Sequence, residues 1–311
     1  MSNYLVTGAA GFIGSMLAKR LISQGNHVVT VDNLSTGKKE NIPEECEFIF
    51  GDVFDIKIIN SLYKYDFDAI FHIAGQSSGE ISFENPIYDL ETNTASTLLL
   101  LEMAKKKGIK KFIYASSMSI YGDHPEELVD EESLKMPKSF YAVGKIASEN
   151  YMRIYSNFGI NCVALRFFNV YGVGQNLDNL KQGMASIYLA MAVKDNHIVV
   201  KGSKDRFRDF VYIDDVVDAC VKSLDLNYDT SFSYFNICNE RKIKVEDVIK
   251  MIQEQIEGVS VEYIEGTPGD QFGIYGNNKK AKEALKWKPK ITFEEGMTMF
   301  INFAKKENNK K

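Results

Sequence analysis

No stretch of this chain is apolar for long enough to cross a bilayer, which takes about 20 residues, so no membrane helix is expected. Cysteine is scarce. Cys46, Cys162, Cys220 and Cys238 show neither CxxC nor Cys/His ligand spacing. That argues against a metal site or a disulfide framework, and for free thiols in a reducing cytosol. Positive charge is not in excess either. Lys and Arg number 37 against 42 Asp and Glu, a net charge of −5, so the basic footprint of a nucleic-acid binder is missing. The N-terminus enters an apolar strand-like run without the charged and apolar regions of a secretory leader, and a cytoplasmic location is the expectation. The lysine-rich stretch 305–311 reads as a frayed, solvated end. Internal repeats and low-complexity linkers are also lacking.

What is present is a length of 311 residues, 45% of them apolar. This suits two domains, or one large α/β domain with a smaller appendage. The most informative stretch is Tyr4-Leu5-Val6-Thr7-Gly8-Ala9-Ala10-Gly11-Phe12-Ile13-Gly14. A short apolar run meets Gly8, Gly11 and Gly14. An amphipathic segment follows, with Phe12, Ile13, Leu17, Leu21 and Ile22 on one helical face. The pattern predicts a strand, a tight turn and a helix start. Gly8 allows the turn, Gly11 lets backbone approach a phosphate, and Gly14 lets the helix pack on the strand. The free N–H groups of the helix start suit a pyrophosphate. A second strand, His27-Val28-Val29-Thr30-Val31, ends in Asp32, placed to accept from adenosine ribose hydroxyls. No Arg follows Asp32 directly to receive a 2′-phosphate, so NAD is expected rather than NADP.

Strand and helix then alternate. Strands are expected at 47–50, 68–73, 112–115 and 162–166, with long helices over 86–107 and 139–157. Such alternation means parallel strands with crossover helices on both faces. After about residue 169 the pattern loosens, with helices near 184–193, 214–223, 245–255 and 294–303 among short strands. The expected division is a dinucleotide-binding domain over 1–168, to which some later segments return, and a mainly substrate-binding lobe over 169–311.

The chemistry is expected on the fifth strand and the helix after it. Tyr141-Ala142-Val143-Gly144-Lys145 is a Tyr-x-x-x-Lys. At this spacing the two side chains share a helix face. An ammonium beside a phenol lowers a pKa that starts near ~10, which makes Tyr141 a candidate general base near neutral pH. Tyr275 and Lys279 repeat the spacing without a preceding serine-ended strand, and read as chance. Ser116-Ser117 end the strand before Tyr141, on the edge where ligands of parallel sheets bind. Ser117 alone reads equally well as a satisfied turn serine; with Tyr141 and Lys145 it reads as catalytic.

On these residues the chain resembles the extended short-chain dehydrogenase/reductase family, in its branch of NAD-dependent nucleotide-sugar epimerases and dehydratases. The resemblance runs over nearly the whole length. It includes Thr7 to Gly14, Val31-Asp32-Asn33-Leu34-Ser35-Thr36-Gly37, Gly51-Asp52-Val53, His72-Ile73-Ala74-Gly75-Gln76 and Ser116 to Gly122. It continues through Tyr141 to Lys145, Arg166 to Gly172, Arg208 to Asp215, Pro268-Gly269-Asp270 and Trp287-Lys288-Pro289. It implies a Rossmann-type doubly wound parallel sheet with a smaller mixed α/β substrate lobe. By the resemblance, Gly8, Gly11, Phe12, Ile13 and Gly14 carry the pyrophosphate of NAD. Asp32, Asn33, Ser35, Thr36 and Gly37 hold the adenosine ribose end, and Asp52 and Val53 flank the adenine. Ile73, Ala74, Gly75, Gln76, Asn93, Ser116, Tyr141, Lys145 and Phe168 complete the cofactor bed. Ser117, Tyr141 and Lys145 are the implied catalytic residues. Asn169, Asn179, Leu180 and Asp270 are implied contacts of a nucleotide-diphosphate sugar, with Arg208 on its diphosphate. A homodimer built on the helices at 86–107 and 139–157 is also implied.

Which member of the family this is can be argued from residues. Dehydratases and decarboxylases of the family carry a carboxylate two residues before the tyrosine that ends the serine stretch. Here Ser119 stands there. This favours a 4-epimerase, with UDP-galactose 4-epimerisation the nearest activity. A 4,6-dehydratase, a 4-dehydrogenase and an NAD-sensing protein are the other readings. Thr267 stands where the family has a phosphate-binding Arg, and Lys201 where it has an aromatic residue beside the base. Arg206 and Lys204 are the nearby cations that could substitute.

Overall fold

The protein is described from a computed structural model, over residues 1–181, 183–226, 232–266 and 271–309. Its organising element is a seven-stranded sheet. Six strands come from the first part of the chain: β1 (Asn3–Thr7), β2 (His27–Asp32), β3 (Glu47–Phe50), β4 (Ala69–His72), β5 (Lys111–Ser117) and β6 (Asn161–Phe167). The strands β7 (Asn169–Tyr171), β8 (His197–Lys201), β9 (Phe207–Arg208) and β10 (Phe210–Tyr212) lie outside this sheet, and β11 (Phe232–Ile237) returns to it. The order is β11-β6-β5-β4-β1-β2-β3, and every pairing is parallel. Each strand therefore needs a crossover, and the crossovers cover both faces.

The helices of the chain are α1 (Phe12–Ser23), α2 (Ile56–Ser61), α3 (Gly79–Glu84), α4 (Pro86–Leu90), α5 (Ser96–Lys107), α6 (Phe140–Tyr155), α7 (Met184–Asp195), α8 (Ile213–Lys222), α9 (Val245–Gln255), α10 (Lys279–Ala284) and α11 (Phe293–Asn308). Because side chains alternate along a strand, the sheet feeds two cores. Val6, Phe71, Ile113 and Leu165 face α1 and α8, packing on Leu17, Leu21 and Val216. Leu5, Ile70, Phe112 and Ala164 face α2, α5 and α6, packing on Ile59, Leu100, Leu101 and Met152.

The helix expected over 86–107 is not uniform. A π-helical stretch, Glu91–Ala95, separates α4 from α5 and carries Asn93, fully buried. Such widened turns recur where a side chain must be re-aimed. The short helices α2 and α3 have no strong periodicity and were not expected. At the other long helix, the Ser139 hydroxyl caps α6 by accepting from the Ala142 N–H at 3.2 Å, which sets the register of Tyr141 and Lys145.

The second layer is smaller and mixed. β8 pairs in parallel with β13 (Ser260–Ile264), under α7 and α9. β9 sits between β12 (Ile243–Lys244) and β14 (Gly273–Ile274). Buried polar groups tie neighbouring segments together. Arg166 on β6 makes a forked pair with Glu149 on α6, at 2.7 and 3.0 Å, and Glu149 also accepts from the Ser116 hydroxyl at 2.6 Å. The Asp209 carboxylate accepts from the N–H groups of Asn239, Arg241 and Gly276. Trp287 is fully buried and donates to the Asp215 carbonyl at 2.8 Å. The cysteines are free, three buried and Cys46 half-buried. Among the described residues no helix is long and apolar enough to cross a membrane, and no cluster of metal-ligating side chains occurs.

Candidate active site

The C-terminal ends of the parallel strands open into one long cleft between the sheet and the smaller layer. Its first end is built by the β1–α1 turn. Gly8 has φ +79°, and a Cβ there would lie 2.8 Å from the Ala74 backbone. A Cβ on Gly14 would lie 2.2 Å from the Gly8 carbonyl oxygen. The bare glycines thus let the start of α1 press on the turn. Gly11 caps α1 with no side-chain hydrogen bond and no acid follows in the first turn, so the helix start faces the cleft uncompensated.

Asp32 ends β2 beside this turn. Its carboxylate accepts from the Ala10 N–H at 2.9 Å and the Leu34 N–H at 2.8 Å. It therefore shapes the turn as well as facing the cleft. Asn33 donates to Asp52 at 2.8 Å, and Ser35, Thr36, Gly37, Val53, Ile73, Ala74, Gly75 and Gln76 continue the lining, with Phe12 and Ile13. Asn93 lies just behind the wall. Its amide donates to the Gln76 carbonyl at 2.9 Å, while its Oδ1 is buried without a hydrogen-bond partner. Only a glycine at position 75 leaves room beside that oxygen: a Cβ there would lie 2.5 Å from it and 3.6 Å from Lys145 Nζ. A glycine-lined turn, an uncapped helix start, a carboxylate and an orphan acceptor together fit a dinucleotide.

In the middle of the cleft stand Ser116, Ser117, Tyr141, Lys145, Phe168 and Asn169. Ser117 Oγ donates to Ser119 Oγ at 3.1 Å and stands beside the Tyr141 phenol, whose ionised form it favours. Lys145 Nζ donates to the Ala115 carbonyl at 2.8 Å and lies 5.5 Å from the centre of the Tyr141 ring. The expected acidification of Tyr141 by Lys145 is not found in the free protein. Burial pushes the Tyr141 phenol up to about 12, against the pull of Ser117, and pushes the Lys145 ammonium down to about 7. Desolvation of each charged form is the dominant cause in both cases. The second Tyr-x-x-x-Lys does not build a site, since Lys279 opens α10 and Tyr275 lies outside it.

The far end is cationic. Arg206 and Arg208 both line it and both are buried. Arg208 donates to the carbonyls of Gln271 at 2.7 Å, Phe207 at 2.8 Å and Phe272 at 3.2 Å. Burial, then the neighbouring Arg206, lowers its pKa to about 10. Arg206 is folded onto the carbonyls of Ser203 and Lys201. Its neighbour Asp205 pairs instead with Lys244 at 3.2 Å. Lys204 pairs with Glu246 at 3.6 Å and is not part of the cleft. Tyr188, in the apolar stripe of α7, stands near both arginines, and that stripe hid it in the sequence. Asn179 and Leu180 line the rim, on a loop tied to the first part of the chain by Lys181–Glu84 at 2.9 Å and Lys38–Asp178 at 3.2 Å. Asp270 and Thr267 lie outside the described residues.

The chain is similar to known proteins in sequence and in fold. The model of the NAD dependent epimerase/dehydratase family matches residues 4–238. A putative UDP-glucose 4-epimerase of Methanocaldococcus jannaschii is 35% identical over 308 residues, covering 98% of this chain and 99% of its own. The crystal structure of the Thermotoga maritima UDP-glucose 4-epimerase with UDP-glucose superposes with a TM-score of 0.93 at 32% identity, over 98% of this chain and 99% of that one. That of the Thermus thermophilus UDP-glucose 4-epimerase with NAD gives 0.90 at 30%, over 97% and 98%.

Asp32→Ala should weaken NAD binding by about 1–3 kcal/mol, through unpaired hydroxyls and a loosened turn. Calorimetric titration checks this, and wild-type affinity for NADP equal to or above that for NAD would contradict the assignment of Asp32.

Proposed function

This chain belongs to the NAD dependent epimerase/dehydratase family, and we propose that within it the protein is a nucleotide-sugar 4-epimerase, nearest in activity to UDP-glucose 4-epimerase. The cofactor is NAD. The observation that carries the reading is the order along the cleft. A dinucleotide cradle, a Ser117–Tyr141–Lys145 cluster and a pair of buried arginines line one continuous cleft.

When bound, NAD⁺ supplies a hydride acceptor for sugar C4 and a positive ring charge. Tyr141 takes the proton of the sugar 4-hydroxyl. Ser117 hydrogen-bonds that oxygen and the phenol together. Lys145 would hold the nicotinamide ribose and favour the phenolate, which burial alone opposes. The 4-keto sugar then turns in the cleft and regains hydrogen on its other face, with the proton returned by Tyr141. Ser119 offers no carboxylate for eliminating water, which favours epimerisation over dehydration. Arg206 and Arg208 would take the diphosphate, each charge-assisted bond contributing about 1.5–3 kcal/mol. Asn169, Asn179 and Leu180 would line the nucleotide-sugar beside them.

The test is incubation with UDP-, GDP-, CDP- and dTDP-sugars followed by NMR. Interconversion at C4 without accumulation of free NADH is expected; a keto-sugar released with NADH would mark a dehydrogenase instead, and a 4-keto-6-deoxy sugar without NADH a dehydratase. In the same assay Tyr141→Phe should lose at least ~10²–10⁴-fold in rate with NAD still bound. Retained activity in that variant would place the base elsewhere.

Arg206→Ala should raise the Kd for nucleoside diphosphates by about tenfold or more, the weight of one charge-assisted bond, with NAD affinity unchanged. Unaltered nucleotide affinity would show that Arg208 acts without it.

We also propose a homodimer. α4 and α6 pack side by side and leave Ile87, Leu90, Val143 and Ile154 exposed, a surface suited to a second copy. Sedimentation at micromolar concentration should give twice the chain mass; a monomer there would remove the idea.

A further inference from the structure

One buried carboxylate beside the catalytic cluster has no part in the mechanism above. Asp89 is the penultimate residue of α4, two positions before the π-helical stretch, and is 1% exposed. Its Oδ1 accepts from the Gln76 amide at 2.7 Å and the Asn93 amide at 3.1 Å. Two donors reach it from two elements, one from the cleft wall and one from the widened helical turn. Its Oδ2 lies toward α6, where a Cβ on Gly144 would stand 3.7 Å away. Gly144 immediately precedes Lys145. Among the described residues Asp89 makes no ion pair within 4.0 Å.

The other groups facing Lys145 can be taken in turn. Glu149, one turn along α6, is already held by both forks of Arg166 and by Ser116. His72 on β4 is fully buried and bound to Thr7 and Thr97, and burial pushes its pKa down to about 3, so it is neutral. Tyr114 on β5 lies with its ring 4.6 Å from Nζ, and Tyr141 lies at 5.5 Å; burial pushes both phenols up, so neither is an anion near pH 7. The carbonyl of Ala115 accepts a hydrogen bond but brings no charge. Asp89 is left as the carboxylate whose charge no guanidinium or ammonium in direct contact neutralises.

We propose that Asp89 is the counter-ion that keeps Lys145 an ammonium, and that Gln76 and Asn93 are the donors that keep Asp89 ionised. This rests on the reading of Lys145 as the cation that favours the Tyr141 phenolate. Asp89 is then a positioning residue, acting through Lys145. Burial drives the lysine toward the neutral amine and also raises the Asp89 carboxyl; the attraction between their charges opposes both, and the Gln76 and Asn93 donors pull Asp89 back down. The same charge pushes the Tyr141 phenol up directly, so its benefit to the reaction passes through Lys145 alone.

The test needs neither cofactor nor substrate. The full chain is labelled with ¹⁵N-lysine, the Lys145 resonance is assigned by its loss in Lys145→Met, and its Nζ shift is followed with pH. Asp89→Asn keeps the shape and the Oδ1 acceptor but not the charge. The Lys145 midpoint should fall by about one pH unit, which is a tenfold larger ratio of amine to ammonium at any given pH. A midpoint equal to wild type would overturn the proposal. Should Asp89→Asn not fold, Gln76→Leu replaces it: losing the donor raises the pKa of Asp89, and the Lys145 midpoint should fall in the same direction, with no movement again overturning the idea. Sugar turnover with an unmoved Lys145 would sink the counter-ion and leave the epimerase. A moved Lys145 in a protein that turns over no sugar would do the opposite.

Discussion

The structure depends on a single constraint, that every strand of the large sheet runs the same way. Parallel pairing puts the C-terminal ends of β1, β2, β4, β5 and β6 on one edge. The glycine turn, Asp32, Gly75, Ser117 and Phe168 all lie at or just past those ends, so they face one cleft however far apart they stand in the chain. The return strand β11 extends the same edge and brings Asn236 into the polar network of Arg166, Glu131 and Tyr121. That network is almost wholly buried. Its forked pair is specific in geometry, and removing either partner would leave an uncompensated charge in the interior. It therefore ties the serine-bearing end of β5 firmly to α6, which carries Tyr141 and Lys145.

Burial also sets the electrostatics of the cleft. In the free protein it disfavours the charged forms of Tyr141, Lys145, Arg208 and Asp209 alike. At the far end of the cleft the carbonyls of Lys201, Ser203, Gln271 and Phe272 hold the two arginines in place.

Much of this was legible in the sequence because the relevant residues act locally. The spacing of Gly8, Gly11 and Gly14 predicts the turn, since backbone sterics at those positions leave few alternatives. Alternation of apolar strands and amphipathic helices predicts the doubly wound parallel sheet, and the position of Asp32 after β2 predicts the dinucleotide. Tyr141 and Lys145 share a helix face by spacing alone. What the tertiary structure decided is how these pieces affect one another. Burial raises the Tyr141 phenol in the free protein, and that burial comes from β5, α3 and α4 packing on α6, which spacing along the chain does not show. Lys204 and Arg206 look equivalent as nearby cations, yet Glu246 on α9 takes one and the cleft takes the other. Asp89 reads as a polar residue in an amphipathic helix. Only the packing of α4 against α6, and the π-helical turn that carries Asn93, make it a buried carboxyl against the helix that bears Lys145. Spacing along the chain encodes local geometry; desolvation and long-range charge depend on which distant segments meet, and that is settled only when the chain folds.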